Sequence, residues 1–302
     1  MRIPFLGRIR DRRQYHPDLR LASMVLPPRL VGPRTLPAIQ KLGTLLPGLR
    51  GTETHELESG ATVRVFRPSG ESSTPSPGLV WIHGGGYLVG SAAQDDALCR
   101  AFARRTGATV VSVDYRLAPQ FPFPAALDDC HAALVWLASQ PGIDARRTAI
   151  GGASAGGGLA AALAIRARDD GPVDPVLQLL VYPMLDDRTD TPDPRHRLWD
   201  ARSNRFGWTS YLGGADPSTA SPARHTELVG VAPAWIGVGT VDLFFDEDKA
   251  YADRLGRAGV RCEFVPVPGA FHGFDLVVTR AGVSKDFFRA QCEALREAFD
   301  GS

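Results

Sequence analysis

From about residue 61 onward, short unbroken apolar runs alternate with segments whose apolar residues recur at helical spacing, and this alternation restricts the fold more than any other feature. The runs "ATVRVF", "GLVWIHG", "ATVVSVDY", "RTAIGG", "PVLQLLVYP", "PAWIGVG" and "VRCEFVPVPG" read as strands. Between them, "DDALCRAFARRTG", "AALDDCHAALVWLASQ", "AGGGLAAALAIRARDDG", "FDEDKAYADRLGRAG" and "SKDFFRAQCEALREAF" read as helices. The first helix is expected to close at Gly107, the second at Pro141-Gly142. In the last, Phe288, Cys292, Leu295 and Phe299 mark one apolar stripe. Continuous Val/Ile/Leu runs leave no solvent-facing side, so the strands must be covered on both faces. A mostly parallel sheet between two helical layers satisfies that requirement. In such sheets ligands bind beyond the carboxyl ends of the strands.

Two stretches break the rhythm. Residues 1–50 are rich in Pro and Arg and precede the first expected strand, and residues 185–230 carry aromatics without a strand pattern. Insertions that long usually serve as lids or binding loops. The expected division is an N-terminal cap segment, 1–50, and a catalytic domain, 51–302, with 185–230 contributing a cap insertion. Residues 70–78, "GESSTPSPG", read as a surface loop or hairpin turn.

The chain is 44% hydrophobic and 22% charged, which fits a folded soluble protein. A net charge of +1 gives no global case for binding nucleic acid. The basic start, "MRIPFLGRIRDRRQYHPDLR", is interrupted before any apolar signal region forms and reads as a solvated helix face or flexible arm. With no stretch long and apolar enough to span a membrane, the expected location is the cytoplasm. Cys99, Cys130, Cys262 and Cys292 are widely spaced and read as buried apolar residues rather than a metal site.

The strand "RTAI" runs into "GGASAGGG" and a helix follows, so Gly152-Ala153-Ser154-Ala155-Gly156 supplies G-x-S-x-G on a strand–turn–helix bend. Side chains at 152 and 156 would collide in so tight a turn, and Gly157 and Gly158 let the new helix pack closely. The new helix turns its free N–H groups toward the serine oxygen. The strand "GLVWI" ends in His83-Gly84-Gly85-Gly86, where backbone N–H groups can receive negative charge building on an oxygen. Gly84 and Gly85 are the candidate donors, with Ala155 as the third and His83 as a tether for the loop.

A serine nucleophile needs a base, and the base needs an orienting acid. Of the seven histidines (His16, His55, His83, His131, His196, His225, His272), His272 is best placed, in a glycine-punctuated loop after "CEFVPV". The acid is expected at Asp242, just past a strand end, with Asp246 second.

Four stretches together, "HGGGY" (83–87), "VDYRLAP" (113–119) followed by "FPFPAALDD", "GASAGG" (152–157) and "FHGF" (271–274), make the chain resemble the hormone-sensitive lipase family of α/β-hydrolase carboxylesterases. The resemblance covers residues 79 to 275. It implies an α/β-hydrolase fold with a mostly parallel central sheet, helices on both faces and a helical cap. It also implies a serine esterase acting on small-molecule esters of short- to medium-chain acids, with no cofactor and with homodimers among its members. By position it makes Ser154 the nucleophile, His272 the base, Asp242 the orienter, and Gly84 and Gly85 the oxyanion donors. The chain departs from the family pattern at Ala153, Leu243 and Gln120, where Asp or Thr, Pro and Glu are usual. Trp199, Phe206, Trp208 and Tyr211 are expected in an apolar ceiling, and Tyr87, Trp208 and Tyr211 are the candidate substrate contacts. An amidase or peptidase of the same superfamily, and a non-catalytic receptor on the same fold, are the competing readings.

Overall fold

The computed structural model describes residues 12–43, 48–68 and 75–301. Among them eight strands form one sheet in the order β1-β2-β4-β3-β5-β6-β7-β8. They are β1 (Glu53–Glu56), β2 (Thr62–Phe66), β3 (Ser76–Ile82), β4 (Thr109–Asp114), β5 (Ile143–Ala153), β6 (Gln178–Val181), β7 (Ala234–Gly239) and β8 (Cys262–Val267). β2 pairs antiparallel with both β1 and β4; every other pair is parallel. The helices are α1 (Arg20–Val25), α2 (Leu36–Gly43), α3 (Asp96–Thr106), α4 (Ala125–Ala138), α5 (Ala155–Asp170), α6 (Ala201–Leu212), α7 (Pro217–Ala220), α8 (Phe245–Arg257), α9 (Phe274–Val277) and α10 (Gly282–Asp300).

The apolar runs do what a doubly covered sheet demands. In β3, Leu79 and Trp81 join a core with Phe102 of α3 and Leu295 of α10, while Val80 and Ile82 join a second core with Leu134 of α4 and Leu163 of α5. α5 is buried nearly all round, as expected of a helix wedged between sheet and neighbours. α3 ends, as expected, on left-handed Gly107, whose N–H reaches Ala103 O. Because β3 lies between β4 and β5, the strand order reverses there, and the crevice of such a sheet opens beyond the carboxyl ends of β3 and β5. Those ends lead into His83-Gly84 and into Ser154.

Four expectations need correction. β1 precedes the first expected strand and escaped detection because all four of its residues are exposed, so it shows no apolar alternation. Of the two readings of residues 70–78, a hairpin joining β2 to β3 is ruled out because β4 lies between them; β3 already begins at Ser76, and residues 70–74 lie outside the described residues. On α10 the expected Cys292, Leu295 and Phe299 are buried, but Phe288 is only half-buried, and Phe287, Gln291 and Ala298 widen the buried face. Cys99, Cys130 and Cys292 are buried, but Cys262, on the edge strand β8, is only half-buried.

The N-terminal part is not a free arm where it is described. Tyr15 and Leu19 are buried in the core that holds Phe102 and Leu295; residues 1–11 lie outside the described residues. The stretch 185–230 contains no strand and holds α6 and α7, with Asp200 capping α6 through Ser203 N at 2.9 Å. No helix among the described residues is long and apolar enough to cross a membrane.

Candidate active site

β5 ends at Ala153 and α5 begins at Ala155, leaving Ser154 alone on the bend at φ 58° and ψ −120°. A non-glycine residue persists there only when its surroundings hold it. Ser154 N donates to Val181 O at 2.9 Å, and Ser154 O accepts from Met184 N at 2.9 Å and Gly158 N at 3.0 Å. The glycines are required by proximity. A Cβ at Gly152 would fall 2.4 Å from Gly156 O, and one at Gly156 would fall 2.0 Å from Ile82 O. α5 therefore meets the end of β3 backbone to backbone.

The glycine loop lies directly against this bend. A Cβ on Gly84 would sit 3.3 Å from Ser154 Cβ. His83 Nδ1 donates to Gly84 O at 2.8 Å, and Gln94 Nε2 donates to the same oxygen at 3.4 Å. Holding that carbonyl turns the N–H of Gly85, on the same trans peptide, to the opposite side. His83 is fully buried, its ring stacks on Tyr115 at 4.2 Å, and Tyr115 OH donates to His83 O at 3.0 Å. Burial holds the His83 pKa below its usual value, so the ring stays neutral and tethers the loop, as its place in the sequence suggested.

His272 joins the two other candidates. Its Nδ1–H donates to Asp242 Oδ2 at 2.8 Å, and Ser154 Oγ–H donates to its Nε2 at 2.9 Å. A carboxylate only accepts, which fixes this tautomer. Ser154, Asp242 and His272 are all buried. Asp242 Oδ1 accepts from Phe244 N at 3.0 Å, and Gly269 N donates to Thr240 Oγ1 at 2.9 Å, so the loops carrying Asp242 and His272 are tied together. Asp246 is not part of this chain of bonds; it lies in the first turn of α8. The arrangement can draw the proton from Ser154 and hold the imidazole in register.

The supporting residues were mostly invisible in the sequence. Tyr182 and Phe244 set their rings edge-on to the His272 ring at 4.9 and 5.1 Å. Tyr182 OH donates to Asp275 Oδ1 at 2.8 Å. Burial pushes Asp275, and also Asp95 behind Trp81 Nε1, up to about 6. Glu247 Oε1 accepts from Leu185 N at 2.6 Å and Asp186 N at 3.1 Å at the root of the 185–230 stretch, and burial pushes Glu247 up to about 8. From the N-terminal side, His16 N donates to Gly269 O at 2.9 Å and the Tyr15 ring packs edge-on to Phe271. A signal for Tyr182 was present in "YP" directly after β6; the others depend on chain segments far apart in sequence.

Tyr87, Trp208 and Tyr211 come together as one aromatic stack. The Tyr87 and Tyr211 rings are 3.9 Å apart and nearly parallel, with Trp208 5.3 Å from Tyr87. All three are buried, and Tyr87 OH donates to Met184 O at 3.2 Å. Arg116 grips Asp129 through Nε and Nη2 at 2.9 Å, bracing the "DYRLAP" segment beneath the glycine loop. A cleft of about 700 Å³ lined by Val176, Pro233 and Arg261 lies at the amino ends of β6, β7 and β8, away from this chemistry.

Comparison with known proteins agrees with this architecture. Residues 79–276 match a family described as alpha/beta hydrolase fold. The carboxylesterase NlhH of Mycobacterium tuberculosis is 38% identical over 259 residues, covering 78% of this chain and 80% of NlhH. The carboxylic ester hydrolase LipN of the same organism is 39% identical over 227 residues, 70% of this chain and 60% of LipN's own length. A bacterial heroin esterase superposes with a TM-score of 0.86 at 35% identity, covering 95% of this chain and 98% of that one. The sequence motifs, the reversal of strand order at β3 and these likenesses lead to one assignment: the chain belongs to the hormone-sensitive lipase family of α/β-hydrolases.

Proposed function

We propose that this protein is a serine carboxylesterase that hydrolyses small-molecule esters of short- to medium-chain acids through an acyl-enzyme. The observation that carries the reading is the unbroken bond series from Ser154 Oγ through His272 to Asp242, beside the glycine loop. Ser154 Oγ attacks the ester carbonyl carbon as His272 Nε2 takes its proton, and Asp242 stabilises the imidazolium so formed. The carbonyl oxygen, now negative, is received by the N–H groups of Gly84, Gly85 and Ala155. Collapse of this intermediate breaks the bond to the alcohol oxygen, which leaves with the proton from His272. Water, deprotonated by the same imidazole, then releases the acid.

In this reading residues 1–50 and 185–230 form a cap over the body at 51–302. Its support is a set of bonds joining the two stretches, such as Ser203 Oγ to Val31 O at 3.1 Å. The Tyr87, Trp208 and Tyr211 stack shapes the wall behind the oxyanion side.

A panel of p-nitrophenyl esters of increasing acyl length tests the proposal. Wild type should turn over the shorter esters, and Ser154→Ala should lose activity by a factor of about 10⁵ or more while keeping its thermal transition. Near-wild-type hydrolysis by Ser154→Ala would refute the assignment. Matched anilides distinguish an amidase, and labelling of Ser154 by a fluorophosphonate distinguishes an enzyme from a receptor.

A further inference from the structure

We infer that Trp199 is a positioning residue for the oxyanion loop, acting through Gly86; the inference rests on the esterase reading above. Gly85, Gly86 and Tyr87 have φ values of 135°, 63° and 65°, so three consecutive residues lie in the positive-φ region. The two glycines adopt such values freely, but Tyr87 keeps φ 65° only when its surroundings hold it, and the glycines' freedom leaves the loop's shape to its neighbours. From below it is held by polar contacts: His83 on Gly84 O, Leu88 and Val89 N–H on Gly85 O, and Tyr87 OH on Met184 O. From above it is held by a ring. A Cβ on Gly86 would fall 2.0 Å from Trp199 Cη2, at the far edge of the indole, so the ring lies directly on the glycine. α6 closes the other side, since a Cβ on Gly207 would lie 3.0 Å from Gly86 O and 3.3 Å from Trp199 Cζ2.

The indole is itself fixed. It is buried, its Nε1 donates to Asn204 Oδ1 at 3.2 Å, and Asn204 Nδ2 donates to Thr189 O at 2.8 Å. The residue before it, Leu198, has φ 68° and donates its N–H to Pro27 O at 2.9 Å, so the N-terminal segment pins the backbone that presents the ring. Leu198 also reaches the base loop: its Cδ1 is 3.5 Å from where a Cβ on Gly273 would lie. Two neighbouring residues of the cap thus press on the loop carrying the oxyanion donors and on the loop carrying His272. Donors of this kind act only when fixed at the position the oxyanion will occupy, and small displacements there slow the chemical step.

Trp199→Phe keeps an aromatic side chain but withdraws the far ring from Gly86. It should lower kcat for p-nitrophenyl butyrate at least tenfold with KM within about twofold, and weaken a trifluoromethyl ketone, which forms an oxyanion on Ser154, in proportion to kcat/KM. Gly86→Ala should cost more than a hundredfold in the wild-type background, where the methyl meets the ring as well as the strain of φ 63°, and at least tenfold less in the Trp199→Phe background, where the backbone strain alone remains. A Trp199→Phe variant that is folded with unchanged kcat overturns the inference. So does a rise in KM alone, which would make the residue a substrate wall, or additive effects of the two substitutions. If Trp199→Phe unfolds, the comparison of Gly86→Ala with Trp199→Leu decides by the same criterion. Should wild type and Ser154→Ala show equal ester turnover, the esterase reading fails instead, and the two failures are distinct.

Discussion

The floor of the site and the roof proposed for it are assembled in contrasting ways. On the floor, Ser154, Gly84 and His272 each lie within a few residues of the end of β5, β3 or β8, and the fit is backbone against backbone, as where Gly156 meets Ile82 O. On the roof, the parts are placed by side chains reaching carbonyls of distant segments. Tyr15 OH donates to Arg195 O across 180 residues, and Arg197 Nε donates to Ser23 O across 174. The floor should therefore tolerate no added atom, while the roof should yield gradually as single bonds are removed.

Three measurements break or sharpen this contrast, in falling order of effect. Gly156→Ala forces a methyl to within 2.0 Å of Ile82 O and should destabilise the protein by about 3 kcal/mol or more, seen as a large drop in Tm or loss of folded protein. A Tm within two or three degrees of wild type would show that the floor has slack. Arg197→Met leaves the carbonyls of Ser23, Pro194 and His196 without their donor and should cost about 2 kcal/mol. Its ester hydrolysis should persist with KM raised more than kcat is lowered; complete inactivity would place the roof on the same footing as the floor.

Glu247→Gln probes the join between the two regions, since Glu247 Oε1 accepts the N–H groups of Leu185 and Asp186 and a glutamine oxygen can do the same. Burial raises the native pKa from 4.5 to about 8, so between those values the folded state holds a proton that the unfolded state has released. Wild-type stability should fall as pH rises through that window. The variant cannot titrate, so its stability should fall less, with an advantage of at least about 1 kcal/mol by pH 8. Denaturant midpoints at pH 5 and pH 8 measure this; equal differences at both would show that Glu247 is ionised in the native state throughout.

The contrast also explains what could be read from the sequence. The parallel sheet was legible because runs such as "GLVWI" are buried on both faces and so are unbroken. The bend at Ser154 was legible because only glycine fits at 152 and 156. Asp242 stood ahead of Asp246 by its place at a strand end, and it is Asp242 that meets His272. Three features left no such mark. β1 is wholly exposed and pairs on one side only, so nothing apolar betrays it. On α10 the expected Cys292, Leu295 and Phe299 are buried, but Phe287 rather than its neighbour Phe288 lies fully inside, and the buried Gln291 carries no apolar mark. Trp199 read as a ceiling residue like its aromatic neighbours, since no local spacing records that its ring ends on Gly86.

The grip of residues 15–18 on the far end of the chain carries a consequence for synthesis. Tyr15 packs on Phe271, His16 bonds Gly269, and Asp18 Oδ2 accepts Val283 N from 265 positions away. This segment leaves the ribosome well before its partners are translated. It must wait undocked until they emerge, and the loop bearing His272 gains these supports only when residues 15–18 close over it.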